Sequence, residues 1–350
     1  MSHFVVVVIG DDPEGQLEPF DEQKSVAPYR DYLDTSPRER GGENIPAYEM
    51  SWAARREHLE AFCKEKGISE EEFYQDTIKP EEGSYTTEPG PIQQEFNELH
   101  ESYEPTFDLL NPSKEDLITV AAALSDEDDQ YGVDEEGLYR LSTYNPQSKW
   151  DWYQVGGRWR GFFPVKPDAE HAALGTASWT NEDADADENV ADVALKKDVD
   201  FERARDEARK AAEEAFDKYW SVVKDYPDLK GWSHFRAQAE EGRDIEEVRN
   251  EYHAQPGRIA LKESEDGFFF GCPIDAFGTD RDAYVQSCVN NALVPYAILH
   301  NGEWYQKSEM GWWGISYDEK MTQEEWNEQI QKLYDSLDDD TLLTAVDCHI

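Results

Sequence analysis

Both ends of the chain carry apolar runs. Residues 4–9 (FVVVVI) are mostly β-branched and are followed by Gly10, two aspartates and Pro13, which predicts a buried strand that ends in a turn. Residues 341–350 (TLLTAVDCHI) predict a closing strand of the same character. Because such continuous apolar runs are typical of strands covered on both faces, we expect the two terminal strands to share one sheet.

Between these ends, apolar residues recur with helical spacing in several segments. The longest is 201–224, where one face repeats every three or four residues. Ser69–Glu72 and Thr322–Glu325 have the composition of capping boxes, and Gly67 is placed to end the helix before the first of them. The helices predicted in this way cover residues 46–66, 69 onward, 112–124, 201–224, 244–252, 281–293 and 322–337.

Two further segments are predicted as extended. Residues 295–306 (PYAILHNGEWYQ) alternate around Asn301-Gly302, the pair favoured in two-residue hairpin turns. Residues 257–270 also have an extended pattern, with a turn near their centre. The order of these elements predicts an α+β fold, with a single mixed or antiparallel sheet that includes both terminal strands and is flanked by amphipathic helices.

The middle of the chain is the least globular part. Residues 165–200 are rich in acidic and small residues, and they are followed by predicted helices with strongly charged faces. We therefore expect residues 1–164 and 256–350 to form one α+β core domain, with 165–255 as an acidic loop plus helical insertion.

Composition restricts the candidate partners. The chain has 350 residues, and its aromatic content of 13% argues against disorder. It carries 78 Asp and Glu against 33 Lys and Arg, a formal net charge of −45. Because such a surface repels other polyanions, we expect no direct nucleic acid binding and no membrane association. A basic protein is a candidate partner, and growth in high salt is an alternative explanation of the acidity.

The sequence contains no familiar catalytic or cofactor signature. Pro13 and a polar stretch follow the first strand, where a dinucleotide-binding motif requires glycines and a helix. The acidic run at 126–137 lacks the glycine and the final glutamate of a calcium loop. No serine-nucleophile or Walker motif occurs, and the four cysteines lack zinc spacing. The cofactor therefore stays unknown, and the lack of signal-peptide features predicts a soluble, cytoplasmic protein with reduced thiols.

The segment KWDWYQVGGRWRGFF (149–163) is the main candidate for a ligand site. Gly156-Gly157 predicts a hairpin that brings Trp152 near the arginines that follow. Since aromatic rings stack on nucleobases and guanidinium groups bind phosphate, we predict a nucleotide-like ligand. The alternative is a hairpin whose aromatic side chains only close a sheet edge. With the second aromatic block EMGWWGI, the candidate ligand-binding residues are Lys149, Trp150, Trp152, Arg158, Trp159, Arg160, Trp312 and Trp313.

A third candidate site joins the two ends of the chain. If the terminal strands are neighbours, His3, Asp347 and His349 converge, since residues two apart share one face of a strand. An aspartate with two histidines is able to hold a divalent metal or to act as a base with its orienting group. These three are the candidate catalytic residues, no metal is assigned to them, and Asp11 and Asp12 are candidates to join them.

Four blocks, taken together, resemble a family of uncharacterised proteins encoded mainly by bacteriophages. They are SHFVVVVIGDDPEGQLEPFDE (2–22), NPQSKWDWYQVGGRW (145–159), EMGWWGI (309–315) and DDDTLLTAVDCHI (338–350). The resemblance covers both ends and these central blocks but not residues 165–260. It implies a phage accessory protein that acts in the cytoplasm of the host cell, and it assigns no catalytic residues.

Three functions are consistent with these patterns. The first is a phage accessory protein, with the countering of host defence as one such role, that captures a nucleotide-like small ligand or blocks a host factor. The second is an acidic decoy that resembles DNA in charge and binds a basic host or phage protein. The third is a metal-assisted hydrolase built on His3, Asp347 and His349. The lack of a nucleophile motif favours binding over catalysis.

Overall fold

The computed structural model describes residues 2–40, 43–78, 88–126, 129–178, 189–264, 272–278, 280–310 and 316–350. Within these residues the strands, in chain order, are β1 His3–Ile9, β2 Tyr29–Tyr32, β3 Arg38–Arg40, β4 Glu43–Ile45, β5 Thr77–Ile78, β6 Glu88–Pro89, β7 Gln130–Val133, β8 Leu138–Ser142, β9 Trp152–Gly157, β10 Phe163–Pro164, β11 Thr176–Ala177, β12 Val190–Ala191, β13 Val193–Leu195, β14 Ala297–His300, β15 Glu303–Gln306, β16 Glu309–Met310, β17 Ser316–Tyr317 and β18 Leu342–His349. The helices are α1 Pro13–Leu17, α2 Tyr48–Lys66, α3 Glu70–Gln75, α4 Pro91–His100, α5 Lys114–Leu124, α6 Phe201–Val223, α7 Trp232–Glu240, α8 Ile245–Ala254, α9 Pro256–Glu263, α10 Pro273–Phe277, α11 Arg281–Asn290 and α12 Gln323–Ser336.

The two terminal strands pair with each other inside the main sheet. In the described part of the chain this sheet has seven strands in the order β11-β9-β18-β1-β14-β15, with β13 also paired to β18. β1 runs antiparallel to β18 and parallel to β14, so the sheet is mixed. The predicted α+β fold, with both terminal strands in one mixed sheet, is confirmed.

Both faces of this sheet are covered. Successive side chains of β1 point to opposite faces, and each face has its own apolar cluster. The cluster on the α12 side includes Val7, Ile9, Leu343, Trp326, Ile330 and Tyr334. The cluster on the other side, where α1 and the turn after it pack, includes Phe4, Val6, Val8, Leu17, Phe20 and Trp150. Burial on both faces explains why the terminal strands are apolar at successive positions.

The chain divides into two compact units, one of residues 1–24 with 146–350 and one of residues 25–145. This division differs from the expected boundaries at 164 and 255. Part of the expected insertion belongs to the main sheet, because β13 pairs with β18 and β11 pairs with β9. Strands of two or three residues carry too short a pattern to be recognised in a sequence.

The local signals for helix ends and turns are confirmed. Gly67 ends α2 with a left-handed φ of 69°. The predicted capping boxes of α3 and α12 form, and α5 begins with a further capping box. Asn301 and Gly302, with φ values of 54° and 77°, turn the chain from β14 into β15. None of the helices in the described segments is long and apolar enough to span a bilayer.

One prediction of extended structure is wrong. Residues 257–263, expected as part of a strand, lie in α9, and residues 265–271 fall outside the described part of the chain. Pro256 occupies the first turn of α9, where proline needs no hydrogen-bond donor and its fixed φ suits a helix. The helix buries Leu261 in a cluster with side chains of α6 and α8. Tertiary packing of that apolar face overrides the local extended pattern.

The unit of residues 25–145 has its own apolar clusters. β2, β8 and β7 form a small sheet, and Leu138 of β8 is buried with side chains of α2 and α5. A second cluster joins α2, α3 and α4. In this second cluster His58 stacks on His100 with ring centroids 5.2 Å apart, and their Nδ1 atoms lie 3.0 Å apart.

This histidine pair predicts acid sensitivity of the unit. Burial lowers the pKa of both His58 and His100 below the ordinary value. The unfolded chain therefore binds more protons below about pH 6.5, so the pair's contribution to stability is complete above that pH and is lost as the pH falls. We expect peptides from α2 and α4 to exchange amide hydrogens faster at pH 5 than at pH 7 after correction for the intrinsic rate. Peptides from β1 and β18 are the internal control, and equal protection of α2 at both values would contradict the prediction.

Candidate functional site

Three neighbouring strands bring polar side chains together at one end of the main sheet. His3 of β1 lies directly opposite His349 of β18, and His349 lies opposite Trp152 of β9. Directly opposed residues point to the same face, so the three side chains start from one row of positions across the sheet. The centroids of the His3 ring and the His349 ring are 4.8 Å apart, and those of His3 and Trp152 are 6.2 Å apart.

Each histidine of this row is held by a different carboxylate. His3 Nδ1 donates to Asp347 Oδ1 at 2.9 Å, and His349 Nδ1 donates to Asp151 Oδ1 at 2.5 Å. The histidine side chains retain 15% and 14% of their exposure, so solvent reaches both rings. Neither Nε2 makes a hydrogen bond to another residue that the structure describes. We call these four residues the two carboxylate–histidine pairs.

Asp347 is fully buried and organises the chain around it. Its second oxygen, Oδ2, accepts a hydrogen bond from Arg158 N at 2.9 Å. Gly157, which precedes that nitrogen, has a φ of 56°, and a Cβ atom there would lie 2.4 Å from Asp347 Cβ. Only glycine allows the backbone to approach the buried carboxylate this closely, which explains the glycine at position 157.

A second buried carboxylate, Asp192, holds the turn that follows. It accepts hydrogen bonds from the backbone nitrogens of Gly161 at 2.7 Å, Phe162 at 3.1 Å and Gly175 at 2.8 Å. Burial raises the pKa of Asp192, and the three backbone donors oppose that effect. A Cβ atom on Gly156 would lie 2.8 Å from Asp192 Oδ2. Two buried aspartates therefore fix the path of the segment from 156 to 162.

The hairpin predicted at Gly156-Gly157 does not form. β9 pairs with β18 and β11, and residues 158–161 turn away without pairing with β9. The reason is that Gly156 and Gly157 take positive φ values in order to pass the two aspartates, rather than to reverse the chain into a strand. Asp347 still links the two parts of this segment, because it binds the backbone nitrogen of Arg158 and also His3, whose ring contacts Trp152.

Some of the predicted ligand-binding side chains are exposed, and others are buried or already bonded to other residues of the protein. Trp152 is 46% exposed, whereas Trp150 is 7% exposed and donates its Nε1 hydrogen to Leu17 O, so Trp150 is a core residue. Lys149 forms an ion pair with Glu309 at 2.9 Å. The Arg158 side chain is exposed and makes no ion pair with the described residues.

The remaining predicted residues lie away from this row or outside the structure. Arg160 Nε donates to Gly175 O at 3.2 Å, so the guanidinium stabilises the turn. Trp159 is partly buried and closes the turn through its backbone nitrogen. Trp312 and Trp313 lie outside the described residues.

Of the predicted catalytic residues, the structure brings together His3, Asp347 and His349. Asp11 and Asp12 do not join them, because they follow the opposite end of β1. Asp151 was missed by the sequence reasoning, although its position next to Trp152 in a predicted strand was the available signal. Its backbone nitrogen also donates to His349 O at 3.0 Å. Among the residues that the structure describes, no group of three or more His, Cys, Asp and Glu side chains is arranged to hold a metal ion.

Comparison with protein-family models, with curated proteins and with solved structures finds no match to this chain. The site combines an exposed indole ring with two imidazoles whose Nε2 atoms make no described hydrogen bond, and the exposed residue Arg158 is anchored to it through its backbone nitrogen. This set is suited to a flat ring attached to an anionic group.

Proposed function

We propose that the row of His3, His349 and Trp152 binds a small nucleotide-like ligand that carries a phosphate. The observation that carries this proposal is the exposed Trp152 ring beside two histidines that are each fixed by a carboxylate. Stacking of a base on an aromatic side chain contributes about 1–3 kcal/mol. An imidazole whose Nδ1 hydrogen is bonded to a carboxylate donates through Nε2 only when it is protonated, and in that form it supplies a charged hydrogen bond to a phosphate oxygen.

Charge supports a small ligand rather than a long one. A protein with a net charge of −45 repels extended polyanions, and the repulsion grows with the number of phosphates. Arg158 supplies a local positive charge whose side chain has no carboxylate partner among the described residues. A mononucleotide reaches this local charge while exposing few phosphates to the acidic surface. Together with the phage resemblance, this favours an accessory protein that captures a nucleotide-like compound in the host cytoplasm.

Two substitutions test this proposal by calorimetric titration with deoxyadenosine monophosphate and with deoxyadenosine. Trp152→Ala is expected to weaken binding of both ligands by roughly 5- to 150-fold, which corresponds to about 1–3 kcal/mol of stacking. Arg158→Ala is expected to weaken the nucleotide more than the nucleoside, because only the nucleotide carries the phosphate. Trp220→Ala is the matched control, since Trp220 is 44% exposed on α6, away from the site.

Wild-type affinity in both site variants would contradict the proposal. A chain that binds no nucleotide but binds a basic protein, with an affinity that falls steeply with salt and is unchanged by Trp152→Ala, would instead identify the acidic decoy.

A further inference from the structure

We infer that the two carboxylate–histidine pairs catalyse hydrolysis of a small nucleotide phosphodiester, with one imidazole as general base and the other as general acid. This inference rests on the proposed function, because the substrate has to occupy the same site. It goes further by assigning a reaction to His3 and His349, whose Nε2 atoms no described contact uses.

The geometry provides what such a reaction requires. Cleavage of an unactivated phosphodiester needs one proton removed from the nucleophile and one delivered to the leaving oxygen. Two imidazoles with centroids 4.8 Å apart are close enough to reach oxygens of a single phosphate group. Each ring is fixed at Nδ1, to Asp347 or to Asp151, so each directs Nε2 in one orientation. A histidine with only a packing role at the end of a sheet would not require a carboxylate bound to its Nδ1.

The proposed step balances with water as the only co-reactant. The oxygen of a water molecule attacks phosphorus while the neutral imidazole takes one of its protons at Nε2. The phosphorus–oxygen ester bond breaks, and the protonated imidazole delivers its Nε2 proton to the departing alkoxide. The products are a phosphate monoester and an alcohol, and a proton passes through solvent to restore the starting forms of the two rings. No oxidation state changes.

The surrounding residues define the class of substrate. Trp152 offers its ring to one base, which places the adjacent phosphate near the histidine row. Arg158 is anchored to Asp347 by its backbone nitrogen and has an exposed side chain, so its guanidinium is the candidate partner for the charge that develops on the non-bridging oxygens. The acidity of the chain disfavours long nucleic acids, so the substrate has the size of a dinucleotide.

The test uses the full-length protein and deoxyadenylyl-(3′→5′)-deoxyadenosine, which lacks a 2′-hydroxyl and so requires water as nucleophile. We expect conversion to a deoxyadenosine monophosphate and deoxyadenosine, resolved by chromatography, at a rate that persists in excess EDTA. His3→Asn and His349→Asn retain a side-chain N–H for the carboxylate but lack a titratable nitrogen. Each is expected to lower kcat about 10²- to 10⁴-fold, and to raise KM by a much smaller factor through the loss of one hydrogen bond to the phosphate. His300→Ala, at the far end of the same sheet, is the matched control and is expected to leave kcat unchanged.

The outcomes separate this inference from the proposed function. Binding of deoxyadenosine monophosphate without any cleavage of the dinucleotide would overturn the inference and leave the binding proposal intact. Cleavage that either asparagine variant performs at the wild-type rate would also overturn it. So would activity that EDTA abolishes and a divalent metal restores, because the metal would then supply the activated water. Failure of the wild-type chain to bind any nucleotide would contradict both the catalytic inference and the binding proposal.

Discussion

Gly157→Ala is expected to lower the free energy of unfolding by roughly 2–5 kcal/mol, the sum of a left-handed backbone penalty and an overpacking penalty. Gly157 has a φ of 56°, and an added Cβ atom would lie 2.4 Å from Asp347 Cβ. Relief of that contact requires β9 to move away from β18. The hydrogen bond from Arg158 N to Asp347 would then be lost, so ligand binding should fall together with stability.

The measurement is urea unfolding of the wild-type and variant proteins followed by circular dichroism. Gly302→Ala is the matched control, since Gly302 also has a positive φ, 77°, but an added Cβ atom would meet nothing within 4 Å. Its expected cost is therefore only the backbone penalty of about 1–2 kcal/mol. If the two variants lose equal stability, the close packing of Gly157 against Asp347 does not determine the structure of the site.

Asp347→Ala is the second substitution with a large expected effect, a loss of roughly 2–5 kcal/mol. The carboxylate is fully buried and accepts hydrogen bonds from His3 Nδ1 and from Arg158 N, both at 2.9 Å. Alanine leaves both donors without a partner and opens a polar cavity. A donor that has been removed from water and left unpaired costs about 1–3 kcal/mol.

Asp151→Ala provides the contrast for this prediction. Asp151 holds the other histidine, but its side chain is 35% exposed, so water replaces the lost partner. The expected loss of stability is below about 1 kcal/mol. Both variants are compared in the same urea unfolding experiment. A greater loss for Asp151→Ala than for Asp347→Ala would mean that burial does not distinguish the two pairs.

The sheet and part of the site were predictable from local sequence. The terminal strands have apolar side chains at successive positions, which only a strand covered on both faces requires. Once these strands are placed side by side, His3 and His349 must approach each other, because they lie at the matching ends of the two runs. The capping boxes and the Asn301-Gly302 turn were predictable for a similar reason, since their signals lie within four residues.

The features of the site that the sequence did not predict depend on contacts between distant parts of the chain. Gly156-Gly157 has the composition of a turn, and its true role follows from Asp192 and Asp347, which come much later in the sequence. The pairing of Asp151 with His349 depends on the register between β9 and β18, which no local pattern specifies. Trp150 and Trp152 have similar neighbours in sequence, yet one is buried and the other exposed because α1 covers only the first.

We propose that His3 and His349 form one ligand site through their Nε2 atoms. Long-range ¹H–¹⁵N NMR of the imidazole rings tests it directly during titration with deoxyadenosine monophosphate. We expect the Nε2 signals of His3 and His349 to shift together and saturate, while the signals of His300 stay unchanged. Signals of His3 and His349 that do not move at saturating nucleotide, or that move no more than those of His300, would show that the two histidines do not form a nucleotide site.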